Sequence, residues 1–285
     1  MNKILIQLDS DKIPSSFDSI TAIDSGVDQI LPYGGVLPGD VRDIVYGAMF
    51  TRGEIDLKNT AVFIGGSNVP LGEMMLKEAI QSFFGTTKVS VMMDANGCNT
   101  TAAAAVRKII SCGNIKGKKV AGLGGTGPVG MRAAALFAKE GALVTITSRN
   151  TDKAEEICEL IQKRFEVEVS TACIKEIDET GEIIGDNYAV LSCGAAGVTM
   201  LAEADWKNHS SIKIMADVNA VPPLGIDGIK SHWSAKEKEG KIIFGALGIG
   251  GLKMKVHREC ISMLFEQNDM LLDAEGIYNI ASRLN

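Results

Sequence analysis

The chain has 285 residues, of which 46% are hydrophobic and 22% charged, and its formal net charge is −6 at pH 7. This length and composition allow a sizeable buried core in one large or two ordinary domains. The negative charge, which no basic run offsets, argues against a nucleic-acid partner.

The N-terminal segment does not predict a targeting or membrane segment, because its short apolar run is interrupted by Gln7 and Asp9. The six cysteines are scattered without a C-x-x-C pair, and the three histidines, His209, His232 and His257, lie far apart. We therefore expect a cytoplasmic protein with reduced thiols and without a metal site.

The first hundred residues alternate strands and helices, which predicts a mostly parallel sheet covered by helices. In the first helix, Phe17, Ile20, Thr21 and Ile23 form an apolar face. The predicted strands are 3–8, 28–33, 59–65 and 89–93, and the predicted helices are 16–25, 38–46, 69–84 and 101–112.

A polar loop, Asp94-Ala95-Asn96-Gly97-Cys98-Asn99-Thr100-Thr101, follows the strand at 89–93. Its amides, hydroxyls and carboxylate suit a polar heterocycle that needs several hydrogen-bond donors and acceptors. Asp94, Asn96, Asn99, Thr100 and Thr101 are therefore candidate substrate residues. The alternative is a turn in which Asn99 or Thr100 caps the next helix.

Two charged residues outside this loop are further candidates. Asp18, early in the first helix, either favours the helix N-terminus or grips the polar edge of a heterocyclic substrate. Lys253 and Lys255 follow a predicted glycine turn at 247–251, and Lys253, nearer the turn, is the preferred site residue. A solvated lysine is the alternative for either position.

The segment 119–150 predicts a dinucleotide site, because it combines a strand, a glycine-rich turn, a helix and a second strand. In the G-x-G-x-x-G pattern, Gly125 allows the tight turn, Gly127 admits a pyrophosphate, and Gly130 lets the helix pack on the sheet. The helix N-terminus offers N–H groups to the phosphates. The strands are 119–123 and 143–147, the helix is 128–140, and the turn residues are Gly125, Thr126, Gly127, Pro128, Val129 and Gly130.

The end of the second strand in this segment indicates NADP rather than NAD. NAD-binding versions place an acidic residue about 20 residues on to hold the ribose 2′-hydroxyl, whereas this chain has Ser148 and Arg149 there. Ser148 can donate a hydrogen bond to a 2′-phosphate, and Arg149 and Lys153 supply positive charge. Two alternatives stay open: Arg149 is a solvated loop residue, or Asp152 serves a 2′-hydroxyl.

The chain after residue 150 continues this domain, with two strands that end at small or polar residues. Gly194 and Ala195 follow one strand, and Asp217 and Asn219 follow the other. Because ligands bind at the carboxyl ends of such strands, both segments are candidates for the nicotinamide ring. The last helix is expected to pack back on the first domain. The predicted strands are 168–172, 188–192, 212–216 and 242–244, and the predicted helices are 152–165, 182–185, 252–266 and 273–284.

Four motifs together resemble the NADP-dependent methylene-tetrahydromethanopterin dehydrogenases of methylotrophic bacteria. They are GTGPVGMR (125–132), DANGCNTTAAA (94–104), SIKIMADVNAVPPLGIDGI (211–229) and FGALGIGGLKMKVHR (244–258). The likeness extends over essentially the whole chain. It implies hydride transfer from methylene-tetrahydromethanopterin to NADP, with methylene-tetrahydrofolate as a further substrate of some members. It also implies two α/β domains and a homo-oligomer, a trimer in the member compared.

The reaction that the resemblance implies removes a hydride from a methylene carbon held between two nitrogens. No proton moves, so no catalytic acid or base is expected. The enzyme then acts by positioning the two rings and by electrostatic support. Asp18, Asp94 and Lys253 are the candidate catalytic residues on this basis, and Asn96 and Asn99 are further candidates for holding the pterin.

The resemblance divides the chain into a pterin domain, residues 1–105 with 260–285, and a Rossmann-type NADP domain, residues 106–259. Two other function classes stay open. A shikimate-dehydrogenase-like protein or a tetrahydrofolate dehydrogenase/cyclohydrolase needs a catalytic lysine in the first domain, and no lysine there lies in a recognisable pattern. A non-enzymatic NADP sensor needs no second ligand site, which the polar loop at 94–101 argues against.

Overall fold

In the computed structural model, which describes residues 1–284, the chain forms two compact α/β units. The first unit comprises residues 1–100 and the C-terminal residues from Met254 onward, and the second comprises Thr101–Lys253. The strands are β1 (Ile4–Asp9), β2 (Gln29–Gly34), β3 (Thr60–Gly65), β4 (Ser90–Met93), β5 (Lys119–Leu123), β6 (Leu143–Ser148), β7 (Ser170–Cys173), β8 (Ala189–Ser192), β9 (Ile214–Asp217), β10 (Lys236–Lys238), β11 (Lys241–Phe244) and β12 (Leu271–Leu272). The helices are α1 (Ser16–Asp24), α2 (Pro38–Met49), α3 (Val69–Gln81), α4 (Cys98–Ile110), α5 (Pro128–Lys139), α6 (Thr151–Phe165), α7 (Thr180–Ile184), α8 (Glu203–Asn208), α9 (Ala246–Met263) and α10 (Ala274–Ala281).

The first unit contains a parallel sheet with the strand order β2-β1-β3-β4-β12. Every residue of β3 is buried, as expected for a central strand covered on both faces. The strand order reverses between β1 and β3, and in such doubly wound sheets ligands bind outside the carboxyl ends of the strands at this switch point. Helix α10 belongs to this unit, which confirms that the last helix packs back on the first domain.

The second unit contains a sheet with the strand order β7-β6-β5-β8-β9-β11-β10, parallel except for the edge strand β10. Numbered from the start of the unit, the parallel strands have the order 3-2-1-4-5-6 of the Rossmann fold. The predicted α/β class and the Rossmann-type second domain are therefore confirmed. The switch point of this sheet lies between β5 and β8.

The segment at 247–251, predicted as a tight glycine turn, is instead part of α9, which begins at Ala246. Its Gly248 serves close packing, because a Cβ there would lie 1.9 Å from the carbonyl oxygen of Trp233. A glycine needed for close packing and a glycine needed for a turn look alike in sequence, which explains the wrong prediction.

The apolar face predicted for the first helix also differs from the structure. Phe17, Ile20 and Ile23 are 48%, 62% and 51% exposed, and the buried residues of α1 are Thr21 and Ala22. The buried face of α1 is therefore formed by the small side chains of Thr21 and Ala22, and the larger apolar side chains lie at the surface.

Candidate functional site

The glycine-rich turn connects β5 to α5 in the second unit. Its left-handed residue is Gly124, with φ of +66°, one position before the Gly125 to which the sequence pattern assigns the tight turn. Gly125 is needed for packing instead, because a Cβ there would lie 2.7 Å from the Cβ of Ile146. A Cβ on Gly130 would lie 2.6 Å from the Cα of Gly125. The close approach of helix and turn that the pattern predicts is therefore present.

The N-terminus of α5 fits an anionic ligand. Apart from Gly127 and its two chain neighbours, no residue in the described part of the chain has an atom within 4 Å of a Cβ placed on Gly127, so a pyrophosphate can approach its backbone. Gly127 is the N-cap, and within residues 1–284 no side chain caps the helix there. Thr126, Pro128 and Val129 complete the turn, and Pro128 suits the first helical position, where its missing N–H has no helical partner. This arrangement is typical of a phosphate-binding helix N-terminus.

The end of β6 is tied to the same turn. The Gly124 N–H donates to Thr147 Oγ1 at 3.0 Å, and the Gly125 N–H donates to the Thr147 carbonyl oxygen at 3.1 Å. Ser148 Oγ accepts the N–H of Asn150 at 3.1 Å. The residues predicted to distinguish NADP from NAD therefore begin with Ser148, the last residue of β6, at a strand end that the glycine turn fixes.

Three charged residues surround the start of α6. Asn150 caps this helix by accepting the Lys153 N–H at 3.0 Å. Arg149 and Lys153 are exposed, and so is Asp152 in the first helical turn. Two cations and one carboxylate are thus available to a ribose or phosphate, and their individual roles stay predictions.

The segment after β8 meets the glycine turn at the switch point between β5 and β8. A Cβ on Gly124 would lie 2.6 Å from the Cα of Gly194. Asn219, which follows β9, donates from Nδ2 to the carbonyl oxygens of Gly194 and Ala195 at 3.2 and 3.3 Å. The structure therefore brings Gly194, Ala195 and Asn219 together next to the glycine turn.

Asp217 is buried and binds the backbone of its own loop. Its Oδ1 accepts the Asn219 N–H at 2.9 Å, and its Oδ2 accepts the Ile226 N–H at 3.1 Å. Burial raises the pKa of Asp217, and hydrogen bonds from the backbone N–H groups of Asn219, Ile226 and Gly225 oppose that shift. The carboxylate therefore orders the loop, and direct contact of Asp217 with a cofactor stays a prediction.

The switch point of the first unit carries two carboxylates. Asp9, at the end of β1, is buried, and it accepts the N–H groups of Asp11 and Ser15 at 2.8 and 2.9 Å. These bonds hold the loop that leads into α1. Asp18, half-buried in the first turn of α1, has its Oδ2 3.4 Å from the position of a Cβ on Gly65, at the end of β3. Asp18 therefore lies at the sheet edge where ligands of such folds bind, and Asp9 is a supporting residue that sequence reasoning missed.

The polar loop after β4 contains a helix cap. Asp94 Oδ1 accepts the N–H groups of Asn99 and Thr100 at 2.9 and 3.0 Å, and Asp94 Oδ2 accepts the Thr100 hydroxyl at 2.6 Å. The capping residue is thus Asp94, and not Asn99 or Thr100 as the alternative assumed. Because Asp94 satisfies these donors, α4 begins at Cys98, earlier than the predicted residue 101.

The five loop candidates differ in their accessibility. Asp94, Asn99 and Thr100 are buried, and Asn99 Nδ2 donates to the Met93 carbonyl oxygen at 2.6 Å. Asn96 is exposed, with a left-handed backbone (φ +53°) and an N–H that donates to the Gly66 carbonyl oxygen at 2.7 Å. Thr101 is half-buried. Asn96 and Thr101 are therefore the loop candidates that the structure leaves open to solvent.

A cluster of rings in the first unit was not predicted from the sequence. His257, buried on α9, stacks on Phe63 of β3, with ring centroids 5.6 Å apart and an interplanar angle of 22°. The Phe17 ring lies 6.3 Å from the same histidine. His257 Nδ1 is 4.0 Å from Asp94 Oδ2. Residues so distant in the sequence give no local signal, which explains why reasoning from spacing did not combine them.

Lys253 and Lys255 both lie on α9. Lys253 is half-buried and Lys255 is exposed. Lys253 comes four residues before His257, so the two side chains leave the same face of the helix. The role of Lys253 stays a prediction.

The described residues contain neither a metal-binding cluster nor a helix that could span a membrane. Within residues 1–284, no group of three or more His, Cys, Asp or Glu side chains could hold a metal ion. None of the helices in that range combines the length and apolar character needed to cross a membrane.

Comparison with known proteins gives a family match and two full-length relatives. A family model described as methylene-tetrahydromethanopterin dehydrogenase, N-terminal, matches residues 16–96. The chain is 46% identical to the bifunctional protein MdtA of Methylorubrum extorquens, with 99% of each chain covered. It is 32% identical to the NAD(P)-dependent methylenetetrahydromethanopterin dehydrogenase of the same organism, with 98% of this chain and 97% of the relative covered.

Solved structures with similar folds include two shikimate dehydrogenases. Shikimate 5-dehydrogenase from Listeria monocytogenes, in complex with shikimate and NAD, superposes with a TM-score of 0.54 at 15% identity, over 98% of this chain and 96% of that chain. A chorismate mutase/shikimate 5-dehydrogenase fusion protein from Clostridium acetobutylicum gives a TM-score of 0.52 at 13% identity, over 100% and 97%. At such low identity these structures support the fold alone.

Proposed function

Because the chain belongs to the methylene-tetrahydromethanopterin dehydrogenase family, we propose that it transfers a hydride from methylene-tetrahydromethanopterin to NADP and releases the methenyl form. The observation that carries this proposal is that each unit has polar residues at its own switch point. The second unit has the uncapped glycine turn of a dinucleotide site, and the first has Asp18 at the end of β3. A protein that only senses NADP needs no substrate site such as the one in the first unit.

The residues of the second unit fit NADP. Bound NADP supplies the hydride acceptor. Gly127 admits the pyrophosphate to the N-terminus of α5, which the packing of Gly130 on Gly125 places against the turn. Ser148, Arg149 and Lys153 hold the 2′-phosphate by hydrogen bonding and positive charge. The two exposed cations favour a phosphate over the ribose hydroxyl that Asp152 alone would serve.

The chemistry needs alignment and charge stabilisation only. The bonding pair of one C–H bond leaves the methylene carbon with the hydrogen, and the two flanking nitrogens share the resulting positive charge as an amidinium cation. No proton is transferred, so no residue acts as acid or base. A carboxylate near the reacting ring stabilises the developing cation, and Asp18 is the half-buried carboxylate at the switch point of the first unit.

The other candidates for binding the pterin divide into contacts and supports; two of them, Thr101 and Lys253, are the first and last residues of the second unit. Asn96 and Thr101 are accessible and are proposed to contact the pterin. Asp94, with Asn99 and Thr100, orders the loop that presents them. Lys253 is proposed as a further pterin contact, on the basis of the resemblance. The pterin domain then corresponds to the first unit and the NADP domain to the second.

The test is an absorbance assay of nicotinamide reduction with purified protein. It crosses methylene-tetrahydromethanopterin and methylene-tetrahydrofolate with NADP and NAD. The folate is included because the family resemblance implies methylene-tetrahydrofolate as a further substrate of some members. We expect fast NADP reduction with the methanopterin substrate and slower reduction with NAD. The absence of reduction in all four combinations would overturn the proposal.

We also propose that the protein is a cytoplasmic homo-oligomer, a trimer by resemblance. The exposed apolar side chains of Phe17, Ile20 and Ile23 on α1 support contacts between copies. The cysteines within the described residues are free thiols, as expected in a reducing compartment. Light scattering should give three times the 30.3 kDa mass of the chain, and a monomer mass would contradict the oligomer.

A further inference from the structure

We propose that Asn219 is a positioning residue for hydride transfer: held by the buried carboxylate of Asp217, it clamps the loop after β8, residues 193–197, on which the nicotinamide ring docks. This inference rests on the proposed function, because it gives a task to a loop at the dinucleotide site. It goes beyond that function in assigning Asn219 an action through the loop rather than a direct contact.

The first step is the anchoring of Asn219. Asp217 ends β9, and it pairs in register with Ser192 at the end of β8. Its carboxylate accepts the backbone N–H of Asn219 on one oxygen and that of Ile226 on the other. A Cβ on Gly225 would lie 2.9 Å from Asp217 Oδ1 and 3.2 Å from Asn219 Nδ2, so this segment covers both side chains. Asn219 is therefore held at its backbone and is 8% exposed.

The second step is the contact of Asn219 with the loop after β8. Its Nδ2 donates to two successive carbonyl oxygens, those of Gly194 and Ala195. A bifurcated contact of this kind restrains the orientation of both peptide groups, because a rotation of either one breaks a hydrogen bond to a nearly buried amide.

The third step is the contact of the loop after β8 with the end of β5, the glycine turn and Met200, which restrain it where Asn219 does not. The Cys193 N–H donates to the Leu123 carbonyl oxygen at 2.8 Å. Gly194 lies against Gly124 of the glycine turn, and a Cβ on Gly194 would lie 2.7 Å from Met200 Sδ. Ala195 remains exposed between these contacts. The loop is thus fixed relative to the phosphate-binding turn and presents a small apolar side chain, which suits the flat face of a nicotinamide ring.

The chemical consequence concerns rate more than affinity. Hydride transfer needs the ring at near-attack distance, and a misplacement of about 1 Å can lower a rate by roughly 100-fold. The phosphates of NADP bind at other loops, so loosening this loop leaves most of the binding contacts in place. Asn219 should therefore affect kcat far more than the KM for NADP.

The experiment compares Asn219→Asp and Asn219→Ala with the wild-type enzyme. Asn219→Asp keeps the side-chain shape and removes the Nδ2 donor, while both variants retain the backbone bond to Asp217. We expect kcat to fall roughly 10- to 100-fold in both, with NADPH affinity nearly unchanged. Tm should also fall, because each variant loses the two hydrogen bonds of a nearly buried amide. The matched control is Asn187→Ala, because Asn187 is 4% exposed and donates from Nδ2 to the Ile183 carbonyl oxygen at 3.0 Å. The control should lower Tm and leave kcat unchanged.

The outcomes separate this inference from the proposed function. An active wild-type enzyme whose kcat survives Asn219→Asp overturns the positioning role, and so does a loss of NADPH affinity as large as the loss of kcat. A wild-type protein that turns over no pterin overturns the proposed function. In that case the fluorescence of bound NADPH decides the inference: a bound-state emission that Asn219→Asp changes while Asn187→Ala does not supports the clamp, and identical emission in all three overturns it.

Discussion

Gly130 of helix α5 and Gly125 of the preceding turn pack backbone to backbone, at a distance that excludes a side chain from Gly130. The contact places the N-terminus of the helix directly on the turn, so the N–H groups that would bind a pyrophosphate are oriented by it. A Cβ added to Gly127, two residues after Gly125, has no atom within 4 Å among residues 1–284 apart from Gly127 itself and its two chain neighbours. Gly130 therefore allows the close packing of helix and turn, and Gly127 leaves space for the pyrophosphate.

We predict that Gly130→Ala lowers stability and NADPH affinity together. The added methyl forces the turn away from α5, and overpacking of this kind costs about 1–3 kcal/mol. Gly127→Ala is the matched variant: its methyl has space in the protein, so Tm should be unchanged, while the approach of the pyrophosphate is obstructed. Thermal unfolding and NADPH fluorescence titrations measure both effects. Wild-type NADPH affinity in Gly127→Ala would contradict the phosphate site at α5.

Arg149→Ala should raise the KM for NADP and leave the weak reduction of NAD unchanged. A hydrogen bond to a charged group contributes about 1.5–3 kcal/mol, which corresponds to an increase in KM of roughly 10-fold or more. Steady-state rates with both dinucleotides test this. Lys163→Ala, an exposed basic residue in the last turn of α6, is the control. If the KM values for NADP and NAD rise equally, Arg149 does not bind the 2′-phosphate.

The parts of the structure that were predictable depend on local sequence. The alternation of apolar strands and amphipathic helices predicts parallel sheets without any knowledge of contacts. The glycine turn is recognisable because its chemistry needs glycines at fixed spacing between a strand and a helix. Even there, the left-handed position is Gly124 rather than Gly125, because the pattern fixes the spacing and not the individual dihedral angles.

The parts that were not predictable depend on distant neighbours. Gly248 packs on the Trp233 carbonyl oxygen, so a segment that looks like a turn is helical. In the sequence, Asp94 has the features of a substrate-binding residue. Its hydrogen bonds to the N–H groups of Asn99 and Thr100 form only when the loop is folded. Asp9, which holds the loop before α1 through the Ser15 N–H, belongs to no recognisable sequence motif.

Asp94→Ala should reduce the free energy of unfolding by more than about 2 kcal/mol, because it leaves the buried donors of Asn99 and Thr100 without their acceptor. Asp94→Asn keeps the shape and one acceptor oxygen, so its loss should be smaller. Urea unfolding measures both variants. A variant with unchanged unfolding and greatly reduced turnover would show instead that Asp94 acts on the substrate and is not mainly a helix cap.

Asp18→Asn should raise the KM for methylene-tetrahydromethanopterin and lower kcat, while the KM for NADP and Tm change little. The carboxylate is half-buried at the carboxyl end of β3, and its loss removes both a charge-assisted hydrogen bond and the stabilisation of the developing cation. The interaction of the Asp18 carboxylate with the positive N-terminus of α1 contributes about 0.3–1 kcal/mol to the free energy of unfolding, so folding is little affected by its loss. Asp24→Asn, at the other end of the same helix, breaks the 3.1 Å ion pair with Arg258 and serves as the control. Steady-state kinetics with both substrates varied give kcat and the two KM values, and thermal unfolding gives Tm. Equal effects of the two substitutions would exclude Asp18 from the pterin site, whereas an effect confined to Asp18→Asn would place the pterin at the switch point of the first unit.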